Sequence, residues 1–198
     1  TWVTFATYQR TLWDDHNTSL TVGTSAQRNW GSGLSATGYD VPNNSWEFAD
    51  IALTTGTADT KTNSSYLNDS RLTSFFGRLQ YDYKSKYLLS AMLRRDASSD
   101  FPKDNRADLF SSLTAGWKIS DEDFLKDNKT INFLKLRGSY GTLGNNTGQN
   151  LYKAILNGEA VYVFNGQIVR GTAVGKLPNP SAKWEVAEKL DLGFDLNT

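Results

Sequence analysis

The chain has 198 residues, and its 21 basic and 21 acidic side chains give it no net charge, which argues against nucleic-acid binding. It has no cysteine, so disulfides and thiolate metal sites are excluded. A single histidine leaves few of the ligands from which zinc sites are usually built. The sequence contains no run of about 18 apolar residues, so no membrane-spanning helix is predicted. A transmembrane β-barrel is still possible, because its strands alternate apolar and polar residues and are therefore polar on average. The sequence has no signal peptide and starts inside a strand pattern, so we expect a part of a longer protein.

Alternation of apolar and polar residues predicts seven β-strands, because a strand whose two faces meet different environments repeats every two residues. In chain order, these are residues 1–13, 19–28, 71–83, 86–96, 109–119, 133–142 and 184–196. Residues 71–83 set the pattern, since every second residue from Phe75 to Tyr83 is apolar or glycine. The last strand alternates most regularly and places Trp184 and Leu192 on its apolar face.

The connections between these strands are alternately short and long. We predict short turns at residues 14–17, 84–85 and 120–128, the last being a helical turn capped by Ser120. The longer, irregular connections are residues 29–70, 97–106 and 144–183. Within them we expect a helical turn or two at residues 45–52, capped by Ser45, and a short hairpin that pairs residues 152–156 with 161–164.

Tight turns at one end and long loops at the other are typical of an antiparallel outer-membrane barrel. A strand of about 13 residues, at about 3.3 Å per residue and tilted by about 45°, rises roughly 30 Å, which matches a hydrocarbon core. Aromatic residues gather near the short turns, as a headgroup girdle requires: Tyr81, Tyr83, Tyr87 and Trp117. Alternation also builds soluble sandwiches, and this alternative stays open. Strand length and loop asymmetry favour the barrel, because sandwich strands average about 5–6 residues.

Three long segments resemble the SusC/RagA-type TonB-dependent outer-membrane transporters of Bacteroidetes. At residues 76–127 the segment is FGRLQYDYKSKYLLSAMLRRDASSDFPKDNRADLFSSLTAGWKISDEDFLKD. At residues 131–146 and 177–196 the segments are INFLKLRGSYGTLGNN and LPNPSAKWEVAEKLDLGFDL. They occur in the order of the family and cover about half of the chain, whereas residues 1–70 fit the family by pattern alone.

The resemblance implies a monomeric barrel of 22 strands with a plug domain in its lumen and a TonB box that draws on the proton-motive force. It implies import of oligosaccharides or peptides across the outer membrane of a Gram-negative bacterium, with a SusD-type surface lipoprotein as a lid. The seven predicted strands would be about a third of such a barrel, and the plug domain and terminal strand would be absent from this chain. The competing interpretation is a soluble all-β carbohydrate-binding module that displays aromatic residues on loops.

The charged registers should face the barrel lumen, because a charge on the lipid side costs about 2–4 kcal/mol near the midplane. The predicted lumen-facing residues are Arg78, Asp82, Arg94, Asp96, Lys118, Lys135, Arg137, Lys189, Asp191 and Asp195. They form either a mutually paired wall that also seats the plug or a set of substrate contacts. We favour the wall, since buried charges need partners, and Lys189 with Asp191 has the spacing of a pair.

Aromatic residues in the long connections are the candidates for contact with the ligand or the lid, because flat rings stack on sugars and anchor interfaces. They are Trp30, Tyr39, Trp46 and Tyr66 in the first long loop and Tyr152, Tyr162 and Phe164 in the last. Packing of the loops upon themselves explains these rings equally well.

No catalytic or cofactor-binding arrangement is recognisable, since the sequence has no G-x-S-x-G motif, no P-loop and no cysteine. Four aspartates recur every four residues at Asp96, Asp100, Asp104 and Asp108, a spacing that could present oxygens to calcium. Pro102 breaks any helix that would align them, and the glycine and glutamate of a calcium-binding loop are missing. We therefore predict no metal site, no cofactor and no enzymatic activity.

Overall fold

The computed structural model describes residues 1–43, 45–125, 128, 130–146 and 155–198. Its strands are β1 (Trp2–Leu12), β2 (His16–Thr37), β3 (Thr62–Tyr83), β4 (Tyr87–Ser98), β5 (Ala107–Lys118), β6 (Phe133–Asn145), β7 (Ile155–Phe164), β8 (Gln167–Lys176) and β9 (Glu185–Asn197). Short 3-10 turns lie at Trp46–Phe48, Ile51–Leu53, Ala58–Thr60, Lys103–Asn105 and Ile119–Asp121. Among the described residues, no helix has the length and apolarity needed to cross a membrane.

Seven strands form one antiparallel sheet in the order β1-β2-β3-β4-β5-β6-β9, while β7 and β8 pair in a separate hairpin. Consecutive strands of the large sheet are neighbours in space, so its topology is a meander. Its members are the seven strands that alternation predicted, and the antiparallel all-β class is confirmed. The sheet is open in this chain, because β1 and β9 are its two edges.

The chain divides into two units. The first unit comprises Thr1–Gln27 and Arg71–Thr198, and the second is Arg28–Ser70. The first unit therefore contains β1, β4 to β9 and the parts of β2 and β3 that adjoin their turns. The second unit contains the remaining parts of β2 and β3 together with the connection between these strands.

Strands β2 and β3 are much longer than predicted. Residues 29–37 and 62–70 were expected to be irregular, but they continue the two strands through segments rich in glycine, serine, asparagine and threonine. Alternation reports a difference between the two faces of a strand, so a strand with water on both faces gives no such pattern. The prediction of an irregular connection is therefore wrong for residues 29–37 and 62–70, whereas the connection between the two strands covers residues 38–61.

The tight turns β1–β2 and β3–β4 share one backbone geometry. Trp13 and Asp14 have φ values of 49° and 61°, and Lys84 and Ser85 both have a φ of 55°. Two successive left-handed residues match the twist of the flanking strands, as in a type I′ turn. The second turn is one residue longer than predicted, because Lys86 closes it with a 3.0 Å hydrogen bond from its N–H to the Tyr83 carbonyl.

The predicted helix caps differ from the observed ones. Ser120 is buried inside the 3-10 turn Ile119–Asp121, and its hydroxyl donates to the Asp121 carboxylate at 3.2 Å. Ser45 stands at the cap position of Trp46–Phe48, but its side chain makes no capping hydrogen bond. Asp50 provides the side-chain cap in this region, since its Oδ1 accepts the Ala52 N–H at 2.9 Å.

The hairpin in the last long connection has a different register from the predicted one. Residues 161–164 lie in β7 together with Leu156, and β7 pairs with β8 through a turn at Asn165-Gly166. Asn165 and Gly166 have φ values of 51° and 76°, the conformation that the Asn-Gly dipeptide favours. The Asn-Gly dipeptide is a local signal for this turn that the predicted hairpin did not include, and residues 152–154 of that hairpin lie outside the described part.

A small core lies on one side of the sheet at the end opposite the tight turns. It consists of Phe101, Phe110, Ala182 and Trp184, with Leu72 packed against it. Trp184 was predicted on the apolar face of the last strand, but it precedes β9 and is buried against Phe101 and Phe110 at ring distances of 5.0 and 5.4 Å. Its indole N–H donates to the carbonyl of Arg106 at 3.1 Å, so the tryptophan ties two connections together.

Candidate functional site

Strand register gives the large sheet one continuous apolar face, since directly paired residues of antiparallel strands share a face. In one row, Tyr81 pairs with Leu89 and Leu89 with Ala115. The row continues from Ala115 to Gly138 and from Gly138 to Leu192. The rows on either side of it belong to the same face, which we call the apolar face: Leu79, Ala91, Leu113, Tyr140 and Leu190, then Tyr83, Tyr87, Trp117, Leu136 and Phe194.

The apolar face is open to the surroundings of the chain. Leu192, Leu190 and Phe194 are 82%, 70% and 66% exposed, and Leu93 on the central strand β4 is 56% exposed. A sandwich would bury these side chains under a second sheet. In the part of the chain that the structure describes, no second layer covers them, so the sandwich alternative is disfavoured.

A line of aromatic rings crosses the apolar face at the end with the tight turns. Trp13 meets His16 edge-on at 5.6 Å, and His16 lies 4.6 Å from Tyr83. Tyr83 stacks on Tyr87 at 6.1 Å, and Tyr87 stacks on Trp117 at 6.4 Å. We call these five rings the girdle, because aromatic belts of this kind lie at the headgroup level of membrane barrels.

His16 falls within the predicted turn at residues 14–17, but it is the first residue of β2 and a member of the girdle. Its Nδ1 is 2.6 Å from the Tyr81 hydroxyl. Local sequence patterns do not indicate this contact, because it joins residues of different hairpins.

Glu122 fixes the other end of the girdle. Its Oε1 accepts the Tyr87 hydroxyl at 2.6 Å and the Trp117 indole N–H at 3.0 Å, and Lys86 Nζ lies 3.3 Å from Oε2. These hydrogen bonds, led by the one from Tyr87, hold the pKa of Glu122 at about 2, below its ordinary value of 4.5. Glu122 is a positioning residue that sequence reasoning missed.

The ten predicted lumen-facing residues lie together on the opposite face, which we call the polar face. Lys118 pairs with Lys135 and Lys135 with Asp195, and the remaining members follow by alternation along their strands. They are Arg78, Asp82, Arg94, Asp96, Lys118, Lys135, Arg137, Lys189, Asp191 and Asp195. The structure therefore places these ten charged side chains on the face opposite the apolar rows.

Several charges of the polar face are paired within the chain. The Arg94 guanidinium lies 2.8 Å from the Asp96 carboxylate and donates to the buried Ser74 hydroxyl at 3.0 Å. Arg137 lies 3.5 Å from Asp195. Outside the ten, Asp121 receives an ion pair from Lys118 at 2.7 Å.

Other members of the polar face bind uncharged groups. The Asp191 carboxylate, predicted to pair with Lys189, accepts the Ser139 hydroxyl at 3.5 Å. Arg78 Nε donates to the Ser90 hydroxyl at 3.3 Å. A depression of about 640 Å³ near the tight turns is lined mainly by side chains of this face, among them Asn17, Gln80, Asp82, Ser90, Thr114 and Lys135.

The aromatic residues of the long connections are exposed in this chain. In the second unit Trp30, Tyr39, Trp46 and Tyr66 are 65%, 58%, 93% and 66% exposed. In the β7–β8 hairpin Tyr162 and Phe164 are 58% and 73% exposed. Tyr152 lies outside the described residues.

Two of these rings point to opposite sides of the β2–β3 ribbon. Arg28 forms a two-pronged ion pair with Asp69 at 2.8 and 2.9 Å, so these two residues share a face. Trp30 is two residues from Arg28 in β2 and so faces the same side as Arg28. Tyr66 is three residues from Asp69 in β3 and so faces the opposite side, where its ring covers Gly33. Trp30 and Tyr66 therefore serve different surfaces.

The aspartate series does not form a metal site. Asp96 is held by Arg94, and Asp100 Oδ2 lies 3.3 Å from the Ser98 hydroxyl. Across the described residues, no group of three or more histidine, aspartate or glutamate side chains has the geometry to hold a metal ion.

An open antiparallel meander with an apolar outer belt, an aromatic girdle and a charged opposite face defines a wall segment of a transmembrane β-barrel. The family model described as "TonB dependent receptor-like, beta-barrel" matches residues 1–198, and the chain belongs to this family.

Relatives place the chain within the SusC-like part of the family. TonB-dependent receptor P3 of Formosa agariphila is 37% identical over 193 residues, which cover 97% of this chain and 19% of that protein. TonB-dependent receptor SusC of Bacteroides thetaiotaomicron is 39% identical over 137 residues, covering 67% of this chain and 14% of that protein. The chain spans about a fifth or less of the length of these relatives.

A solved structure has the same fold. A chain of the RagAB peptide transporter superposes with a TM-score of 0.80 at 21% identity, over 98% of this chain and 21% of that chain.

Proposed function

We propose that this chain is a barrel-wall segment of a TonB-dependent outer-membrane importer that takes up oligosaccharides or peptides together with a SusD-type surface lipoprotein. The observation that carries the proposal is the division of the sheet into an exposed apolar face and a charged face. A relative named SusC and a structural neighbour named as a peptide transporter support it. A soluble carbohydrate-binding module needs a water-compatible surface, and the extent of exposed hydrocarbon argues against that function.

In this proposal the apolar face meets lipid and the polar face lines the lumen. Each of the six basic residues of the polar face would cost about 2–4 kcal/mol if it faced the bilayer midplane, and each of the four aspartates would cost less. Their partners Ser74, Ser90, Ser139 and Asp121 lie within the chain, which suits a paired wall better than a set of free substrate contacts.

The depression on the polar face is the proposed seat of a plug domain. A plug offers polar groups to a wall, and Asn17, Gln80 and Thr114 offer hydrogen-bonding side chains in return. The plug, the TonB box and the strands that close the barrel would come from other parts of a longer protein, since the matched relatives are much longer than this chain.

The exposed aromatic residues are the proposed contacts with ligand or lid. Trp30 and Tyr66 occupy opposite sides of the β2–β3 ribbon, so the two rings would contact different partners. Trp46, Tyr39, Tyr162 and Phe164 remain candidates for either role, because their exposed rings suit both sugar stacking and protein contact.

The test uses the complete protein in a host that lacks it, with and without the proposed SusD-type lipoprotein partner. Uptake of fluorescent oligosaccharides and of fluorescent peptides is measured before and after a protonophore collapses the proton-motive force. We expect uptake of one substrate class that needs both the lipoprotein and the proton-motive force. Recovery of the protein in the soluble fraction, or uptake that is indifferent to the protonophore, would contradict the proposal.

A further inference from the structure

Two successive arginines of β4 lie on opposite faces of the sheet and have different surroundings. Arg94 belongs to the polar face, where Asp96 and Ser74 satisfy its guanidinium. Arg95 belongs to the apolar face, because it pairs with Phe75 on one side and Leu109 on the other. Within the described residues, no hydrogen bond or ion pair reaches the Arg95 guanidinium, and Arg95 is exposed.

The hydrocarbon around Arg95 is also exposed. Phe75 and Leu109 are 57% and 59% exposed, so the arginine projects from a surface that meets the same medium as its apolar neighbours. An arginine in such a position is unfavourable at the bilayer midplane but not near the headgroups, where its long side chain extends to polar groups.

The height of Arg95 places it at the edge of the apolar belt. From the girdle residue Tyr87 to Arg95, β4 rises about 19 Å, for about 3.3 Å per residue and a tilt of about 45°. The outward apolar band of such barrels is about 25 Å tall, so the Arg95 backbone lies a few Å below its upper edge. An extended arginine side chain spans most of that distance. The guanidinium therefore reaches the headgroup level of the leaflet on the side of the long loops.

The chemistry of that leaflet suits an arginine. The long loops of these barrels are extracellular, and the outer leaflet of a Gram-negative outer membrane is built from phosphorylated glycolipid. A guanidinium presents a planar fork of donors that matches a phosphate bidentately.

We propose that Arg95 binds a phosphate group of the glycolipid headgroup in the outer leaflet and so fixes a lipid against the barrel wall. The proposal rests on the proposed function, because it requires the apolar face to meet lipid. The alternation of faces predicts an apolar side chain at the position of Arg95. The proposal instead gives this outward-facing arginine a specific partner, the phosphate group of a lipid.

The experiment uses the complete transporter, purified from outer membranes in mild detergent. Its retention of added bis-phosphorylated lipid A and of enzymatically dephosphorylated lipid A is measured by native mass spectrometry. The variants are Arg95→Gln, which removes the charge, and Arg95→Lys, which keeps the charge but loses the fork. Arg78→Gln is the matched control, because it removes the same charge from the polar face, where the Arg78 guanidinium donates to the Ser90 hydroxyl.

We expect Arg95→Gln to lower retention of bis-phosphorylated lipid A about tenfold, because the variant loses a charge-assisted hydrogen bond to the phosphate; a factor of ten corresponds to about 1.4 kcal/mol. Arg95→Lys should give an intermediate loss, and Arg78→Gln should behave as the unmodified protein. The unmodified protein should prefer the phosphorylated lipid over the dephosphorylated one, a comparison that needs no variant.

Equal retention of both lipids by the unmodified protein, or unchanged retention by Arg95→Gln, would overturn the assignment. Substrate uptake is measured on the same preparations. Uptake by Arg95→Gln at the normal level together with unchanged lipid retention would refute the lipid contact and leave the proposed function intact. Absence of the unmodified protein from the membrane fraction would refute both.

Discussion

The Tyr87 hydroxyl donates a 2.6 Å hydrogen bond to the Glu122 carboxylate, and this contact joins the first residue of β4 to the connection between β5 and β6. The same carboxylate oxygen accepts the Trp117 indole N–H, so one side chain orients two stacked rings of the girdle. A girdle ring must present its polar edge to the headgroups and its body to hydrocarbon. Glu122 provides a fixed acceptor for that polar edge.

Removal of this acceptor should loosen the girdle. Glu122→Ala should lower the temperature at which the barrel unfolds by several degrees, because Tyr87, Trp117 and Lys86 all lose their partner. Glu122→Gln should have a smaller effect, since its amide oxygen still accepts two hydrogen bonds. The measurement is the heat-dependent change in electrophoretic mobility of the complete barrel.

Glu188→Gln is the control for the loss of a negative charge. Within the described part of the chain, Glu188 accepts a single long 3.4 Å hydrogen bond, from the Tyr140 hydroxyl, so its substitution should leave the unfolding temperature nearly unchanged. An effect of Glu188→Gln as large as that of Glu122→Ala would show that net charge, and not the girdle contact, sets the stability.

The Glu122 contact should also depend on pH. The pKa of Glu122 is about 2 in the folded chain, below its ordinary value of 4.5, so its stabilising effect is complete above pH 4.5 and is lost as the pH falls toward 2. The pKa of Asp121 is likewise lowered, chiefly by its hydrogen bond from Lys118, and adds to the loss in the acid range. Unfolding temperatures at pH 7, 4.5 and 2.5 check this prediction.

The variant Glu122→Gln isolates the contribution of Glu122. The difference in unfolding temperature between the unmodified protein and this variant should be constant from pH 7 to 5 and should shrink below pH 4.5. A difference that stays constant down to pH 2.5 would contradict the assignment of the low pKa to Glu122.

The sequence predicted the parts of the fold that lie where two environments meet. All seven strands of the large sheet and the common face of the ten charged residues follow from a period of two, because that period records a difference between faces. The extensions of β2 and β3 have no such difference and escaped prediction. The Asn165-Gly166 dipeptide is a local signal for a turn. The apolar residues before it nevertheless suggested two short strands, at residues 152–156 and 161–164, whereas Leu156 and residues 161–164 lie in the single strand β7.

The contacts of Glu122 and Trp184 were beyond local patterns. Glu122 meets Tyr87 only because β4 and β5 pair Tyr87 with Trp117, and that register is a property of the folded sheet. Trp184 continues the parity of β9, yet the chain enters the strand one residue later and turns the ring into the core. Alternation assigns a face only to residues that are already within a strand.

The core at the loop end should depend strongly on Trp184. Trp184→Ala removes a buried ring that packs on Phe101 and Phe110, a change that costs about 3–5 kcal/mol in the free energy of unfolding. Trp184→Phe keeps a ring but leaves the Arg106 carbonyl without its indole donor, so it should cost less. Urea unfolding of the barrel in lipid vesicles, followed by electrophoretic mobility, gives both values.

Trp46→Ala is the control, because Trp46 is 93% exposed and its removal should change the free energy of unfolding by less than about 0.5 kcal/mol. Similar losses for Trp46→Ala and Trp184→Ala would contradict the location of the core.

The assignment of the two faces is tested by neighbouring residues of β9. Leu192 lies on the apolar face and is 82% exposed, whereas Asp191 lies on the polar face beside Ser139. Leu192→Arg should reduce the amount of assembled barrel in the outer membrane, since arginine on the lipid face costs up to about 2–4 kcal/mol, less near the interface. Asp191→Asn should leave assembly unchanged, because a solvated wall tolerates the loss of one charge.

Both variants are measured in the same membrane fraction, with heat-modifiable mobility as the criterion of a closed barrel. The adjacent positions share backbone, strand and depth, so only the facing of the side chain differs between them. Equal assembly of the two variants would therefore mean that hydrocarbon and water do not lie on opposite sides of β9, and the division of the sheet into a lipid face and a lumen face would be wrong.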